Sequence, residues 1–209
     1  MNYLPSQYRC VRPSDFIGPA RLAAQRVEAT ISLAKQHGSA PIALLILGPP
    51  GIGKSQLADY FVRCVGVNPW CQHKFNGTSF RIEDVEELSR TVHFTNLFGD
   101  YRVLRLEEVD KVPTVAQVRM LTLLDDLPPG NAVVATSNCR LDQLEERFQR
   151  RFELLQLSPP CPDEVRALLL AHWPQLGEAT ANQIAVLTGG NVGAALKDAT
   201  TQLTYAYAA

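Results

Sequence analysis

The stretch LILGPPGIGKSQLADYF, Leu45–Phe61, decides the fold. It closes an unbroken apolar run, Ile42–Leu47, and continues through three glycines, a lysine and a serine into a segment with helical spacing. Six consecutive apolar residues describe a strand buried on both faces, as in a parallel sheet. Gly48, Gly53, Lys54 and Ser55 fit the spacing G-x-x-x-x-G-K-[ST]. Each residue type has a task in that pattern. Glycines let the main chain turn tightly, so that its N–H groups converge on phosphate oxygens. The helix that follows turns its positive end to the same phosphates. The lysine reaches the β- and γ-phosphates, and the serine hydroxyl suits Mg²⁺. A chance glycine-rich turn would lack the strand before and the helix after; both are present. Pro50, Gly51, Ile52, Gly53, Lys54, Ser55 and Gln56 are therefore assigned to a nucleoside triphosphate, with Ser55 also assigned to Mg²⁺.

Outward from this loop, helical spacing covers Ala20–Gln36 and Ser55–Val65, separated by the breaker HGSAP and the apolar strand. Further along, strands are expected at Phe75–Phe80, Tyr101–Leu106, Ala132–Ser137 and Phe152–Leu157. Helices are expected at Ile82–Val92, Val115–Leu124 and Leu141–Gln149. Strands alternating with helices give βαβ units and a parallel sheet. SPPCP, Ser158–Pro162, then breaks the chain. Beyond it only helical segments are read: Asp163–His172, Ala179–Leu187 and Val192–Ala206. Two units are expected, residues 1–158 and a short all-α lid at 159–209. Met1–Asp15 reads as an extended lead-in.

The composition narrows the function. The 209 residues carry a net charge of −1, so no global positive field draws the chain to nucleic acid. No apolar run approaches a membrane span, and the first residues have no signal core, so a cytoplasmic protein is expected. The five cysteines are irregularly spaced, which argues against a disulfide framework. Cys64, Cys71 and His73 are too few and too loosely spaced for a structural zinc site.

A second acidic strand end follows the phosphate loop. YRVLRLEEVDK, Tyr101–Lys111, ends its strand in Glu107 and Glu108, then Asp110. Ligands of open parallel sheets collect at such carboxyl ends. One acid there serves Mg²⁺, and its neighbour orients an attacking water. Arg105 is out of place in an apolar strand and calls for an acidic partner.

With these two motifs in place, the sequence resembles the AAA+ ATPases, and among them the clamp-loader subgroup (replication factor C small subunit, DNA polymerase III gamma-like module). The resemblance runs from Arg9 to Ala199 and lacks a collar domain. It implies an α/β fold of the P-loop NTPase type: a three-layer parallel sheet with a small helical lid. Glu108 matches the water-activating glutamate, while Glu107 stands where the family usually has aspartate, so its contact with Mg²⁺ is direct or through water. VVATSN, Val133–Asn138, is similar to the sensor-1 strand and puts Asn138 beside Glu108. In ERFQRRF, Glu146–Phe152, Arg151 best matches the arginine finger that enters a neighbouring subunit's site, with Arg147 and Arg150 as alternatives. RPSDFIG, Arg12–Gly18, is similar to the N-terminal box, which implies Phe16, Ile17 and Gly18 near the adenine. LTGGNVGAALKDA, Leu187–Ala199, is similar to the sensor-2 helix, but Gly193 occupies the usual arginine position. The lid thus lacks the usual cationic contact to the γ-phosphate; Lys197, one turn on along the same face, is a minor alternative for it.

The resemblance implies a homo- or hetero-oligomer, a protein client, and DNA contact through the assembly, with Lys111 and Arg119 as the available cations. Two functions remain open. One is an ATPase that remodels or loads a DNA-associated partner. The other is an ATP-gated scaffold with little hydrolysis. Glu108 and Asn138 favour the first, Glu107 and Gly193 the second. Nothing in the sequence resembles a winged helix, which disfavours a branch-migration motor.

Overall fold

The computed structural model describes residues 4–94, 99–139 and 144–208. Its centre is a five-stranded sheet in the order β2-β3-β4-β1-β5, every neighbouring pair parallel. The strands are β1 (Ile42–Leu47), β2 (Gln72–Asn76), β3 (Arg102–Glu107), β4 (Asn131–Ser137) and β5 (Glu153–Gln156). The α/β three-layer sheet expected from the sequence is the observed one.

Helices α1 (Pro19–Gln36) and α2 (Lys54–Val65) cover one face, and α6 (Pro162–His172), α7 (Glu178–Thr188) and α8 (Val192–Ala208) join the same apolar cluster. Leu44, Ile46, Val27, Leu57, Phe61, Leu169, Trp173 and Ile184 form one continuous buried cluster there. The opposite face carries α3 (Ile82–Thr91), α4 (Thr114–Asp125) and the short α5 (Glu146–Gln149). Leu45, Leu47, Leu104, Leu106, Met120 and Phe148 fill that second cluster. Alternate residues of β1 therefore feed opposite cores, because successive side chains of a strand point to opposite faces. That is why the run could be wholly apolar.

Most expected elements agree with these bounds to within a residue or two. Three do not. The strand placed at Phe75–Phe80 lies at Gln72–Asn76. As an edge strand reading QHKFN it is only partly buried and carries no apolar run to announce itself. Of the helix placed at Leu141–Gln149, residues 141–143 lie outside those described; among the described ones, 144 and 145 are not helical and the helix is Glu146–Gln149. The lead-in is not simply extended: 3₁₀ turns at Pro5–Gln7 and Pro13–Asp15 fold it back, and Tyr8 and Cys10 are buried. The Tyr8 ring meets those of His172 and Trp173, and the Ser6 amide donates to Thr200 Oγ1 at 2.8 Å. The N-terminal segment thus fastens onto the C-terminal helices.

Candidate nucleotide site

The carboxyl ends of β1, β3 and β4 open into a cleft of about 600 Å³. The loop after β1 turns through glycines that only a residue without Cβ accommodates. Gly51 and Gly53 have φ of +80° and +101°. A Cβ on Gly51 would stand 1.9 Å from Asn191 Oδ1. Gly53 caps α2, so the free N–H groups of that helix face the cleft. Lys54 is only 7% exposed, and its ammonium donates to the carbonyls of Gly48 and Pro49 at 2.7 Å each. Burial lowers its pKa, and the nearby Asp110 and Glu108 partly oppose that. Pro50, Ser55 and Gln56 line the same cleft, whereas Ile52 is buried beneath it.

The acidic side is built from the end of β3. Glu108 adopts a left-handed conformation, φ +54°, which is costly for a residue with a side chain. Gly77 lies against its main chain so closely that a Cβ there would sit 2.0 Å from the Glu108 carbonyl oxygen. One carboxylate oxygen of Glu108 accepts from Asn138 Nδ2 at 3.3 Å, the other from Lys111 Nζ at 2.8 Å. Asp110 fixes this corner, accepting from Ser137 Oγ at 2.8 Å and from the Asn138 amide at 3.1 Å. Asn138 thus stands beside Glu108, as the resemblance to the sensor-1 strand implied.

Glu107 also lines the cleft, but cations of the chain face both of its oxygens. Arg105 Nη2 donates to one at 2.6 Å, and Lys74 Nζ lies 3.3 Å from the other. Of the oxygen groups that line the cleft, the Ser55 hydroxyl and this engaged carboxylate are the two expected to serve Mg²⁺. Mg²⁺ keeps several waters and takes phosphate oxygens readily. The set fits an ion bound through Ser55, with Glu107 contributing through water.

Of the base-pocket residues, Phe16 and Ile17 line a small apolar recess beside the cleft with Tyr8, Leu168, Val192 and Leu196. Gly18 does not line it. A Cβ at Gly18 would meet Pro160 and Glu164, so that glycine serves the joint between α1 and α6. Arg12, exposed and 3.7 Å from Asp15, stays out of the cleft as well. Tyr8 and Arg9 stand at the site instead. They come there because the N-terminal segment folds back onto the C-terminal helices, which no local spacing announced.

Gly193 approaches the phosphate loop directly, its amide donating to the Gly51 carbonyl at 2.8 Å. Lys197 lines the cleft one turn further along α8. Arg151 does not line this cleft. Its Nε and Nη2 are 2.9 Å from the two oxygens of Asp125. Arg150 pairs with Glu146, and Arg147 is exposed. The two cations read as facing DNA are also paired: Lys111 with Glu108, and Arg119 with Glu86 at 3.9 Å. Asn76 and Thr136, which line the cleft, were not anticipated.

Comparison with known proteins adds two findings. A family model described as the ATPase family associated with various cellular activities (AAA) matches residues 44–160, more than half of the chain. Among solved structures, a variant of RuvB from Thermotoga maritima superposes with a TM-score of 0.75 at 19% identity. The match covers 91% of this chain and 63% of that one. RuvB of the same organism, described as a Holliday junction branch migration motor, gives 0.74 at 20% identity over 91% and 63%. The chain thus spans a little under two thirds of the RuvB chains it matches, and at these identities the likeness is one of fold. Among the described residues, no helix is long and apolar enough to cross a membrane.

Proposed function

The chain belongs to the AAA family of ATPases, and we propose that it binds ATP with Mg²⁺ in the cleft between the phosphate loop and the acidic end of β3, and hydrolyses it slowly within an oligomer. The observation that carries this reading is the convergence of three independent stretches on one cleft: Gly51–Ser55, Glu107–Glu108 and Asn138. The loop amides and Lys54 hold the phosphates. Glu108, aimed by Asn138, takes a proton from the attacking water. Bound Mg²⁺ neutralises charge on the phosphates. Tyr8, Phe16 and Ile17 close around the base. Arg151 of an adjacent copy supplies the cation that completes the site. Residues 1–158 act as the nucleotide-binding unit and 159–209 as its lid.

For the process served, we propose remodelling or loading of a DNA-associated protein partner by the assembly, in the manner of clamp loaders. The motif order supports this, and the fold likeness to RuvB is compatible with a DNA-associated role. A second reading, an ATP-gated scaffold with little turnover, is favoured by one observation. Both acids at the end of β3 are already paired with cations of the chain.

Calorimetry with Mg²⁺ and ATP tests the binding, and phosphate release with and without primed DNA separates the two readings. Folded protein that gives no heat with ATP overturns the site. Binding without phosphate release in any condition selects the scaffold.

A further inference from the structure

We propose that Arg105 is a positioning residue that keeps the Glu107 carboxylate as its own counter-ion, so that this chain takes ATP with little dependence on Mg²⁺. The inference rests on the nucleotide site proposed above and concerns how that site is charged.

Arg105 lies in the middle of β3, 3% exposed, between Leu104 and Leu106. A guanidinium so placed needs acids within reach. Residues 105 and 107 are two apart on one strand and project from the same face of the sheet. That face lies under α2. Arg105 Nη1 donates to Asp59 of α2, and Nη2 donates to Glu107 Oε1 at 2.6 Å and lies 3.4 Å from the Ser55 carbonyl. The guanidinium thus ties the first turns of the phosphate-loop helix to the acid at the strand end. Glutamate suits this task better than aspartate, because its extra methylene lets the carboxylate fold back along the strand. The two unusual residues of β3, Arg105 and Glu107, therefore compensate for each other.

The charge balance gives the consequence. On the edge strand, Lys74 sits opposite Arg105 in register, and its ammonium faces the other oxygen of Glu107. Two acids, Asp59 and Glu107, meet two cations, Arg105 and Lys74. A dication binding directly to Glu107 would have to displace one of those cations and would remain beside the buried guanidinium. Repulsion from that guanidinium, itself almost wholly out of water, opposes this. With its carboxylate already engaged by these two cations, Glu107 adds little to the binding of Mg²⁺ beside the nucleotide.

The test measures affinity for a fluorescent, non-hydrolysable ATP analogue in EDTA and in excess Mg²⁺. It uses the wild type, Arg105→Met, Glu107→Asp and the double variant. For the wild type, Mg²⁺ is expected to strengthen binding by no more than about threefold. For the double variant, with a short free acid and no guanidinium, it is expected to do so by at least about tenfold. Equal Mg²⁺ dependence in the two proteins overturns the inference and leaves the nucleotide site standing. No binding by any folded protein, with or without Mg²⁺, overturns the site itself. Should Arg105→Met fail to fold, Glu107→Asp alone carries the test, since the shortened acid can no longer reach Arg105. Its melting temperature is expected to fall, with a Mg²⁺ dependence above the wild type's. An unchanged dependence overturns the proposal.

Discussion

Arg151 and Asp125 form a two-pronged ion pair, with Nε and Nη2 each 2.9 Å from one carboxylate oxygen. The pair links the turn before β5 to the end of α4, and the hydrogen bonds from Arg151 hold the Asp125 carboxyl below its usual pKa. An Arg151 that reaches into a neighbouring copy must first leave Asp125. Asp125→Asn is therefore expected to leave ATP affinity unchanged and to raise turnover of the assembled form a few fold. Arg151→Ala is expected to lower that turnover by about a thousandfold or more. Phosphate release at matched assembly checks both. If Asp125→Asn lowers only the melting temperature, the pair is structural and the finger passes to Arg147 or Arg150.

Lys54 is the cation aimed into the phosphate loop. Hydrogen bonds to charged groups contribute about 1.5–3 kcal/mol each, so Lys54→Ala is expected to weaken ATP binding roughly ten- to a hundredfold. The circular dichroism spectrum should stay that of the wild type. Calorimetry reads the affinity, and wild-type affinity in the variant removes the phosphate cradle.

Glu108→Gln keeps the shape of the side chain and its contact with Asn138 but removes the base. Positioned general bases contribute about 10²–10⁴-fold, so turnover should fall by that order while ATP affinity holds. A turnover equal to the wild type's takes the proton-accepting role away from Glu108.

Gly77→Ala tests the packing behind Glu108. The added Cβ would meet the Glu108 carbonyl oxygen, which is main chain and has no rotamer to yield. Overpacking of this kind costs about 1–3 kcal/mol. The variant should melt lower and lose turnover more than ATP affinity. Unaltered melting and turnover would mean that the strand end shifts freely.

His73, on β2, sets a pH dependence. Burial pushes its pKa below the ordinary 6.5, and Arg102 adds to the shift. The unfolded chain then takes up the proton first as pH falls. Stability from this group is complete above about pH 6.5 and is lost as pH drops from there to the folded-state pKa. The wild type should lose more melting temperature between neutral and mildly acidic pH than His73→Gln does. Equal losses remove His73 as the cause.

The sequence by itself determined the sheet's interior and the phosphate loop. Ile42–Leu47 had to be a doubly buried strand because no other element of that length hides six apolar residues, and G-x-x-x-x-G-K-S specifies its own main-chain path. The acid pair Glu107–Glu108 and Asn138 were legible for a related reason: each ends a recognisable apolar strand, and strand ends converge where a parallel sheet opens. Only the tertiary structure decided what the sequence pattern does not encode. The edge strand β2 is too polar to announce itself. Tyr8 and Arg9 reach the cleft because the N-terminal segment folds back onto α8, a contact between distant parts of the chain. The partners of Arg105, Arg151 and Lys111 were likewise undetermined, although a buried arginine demanded some acid. Local spacing fixes which way a side chain points. What it meets there depends on how elements far apart in the chain pack together.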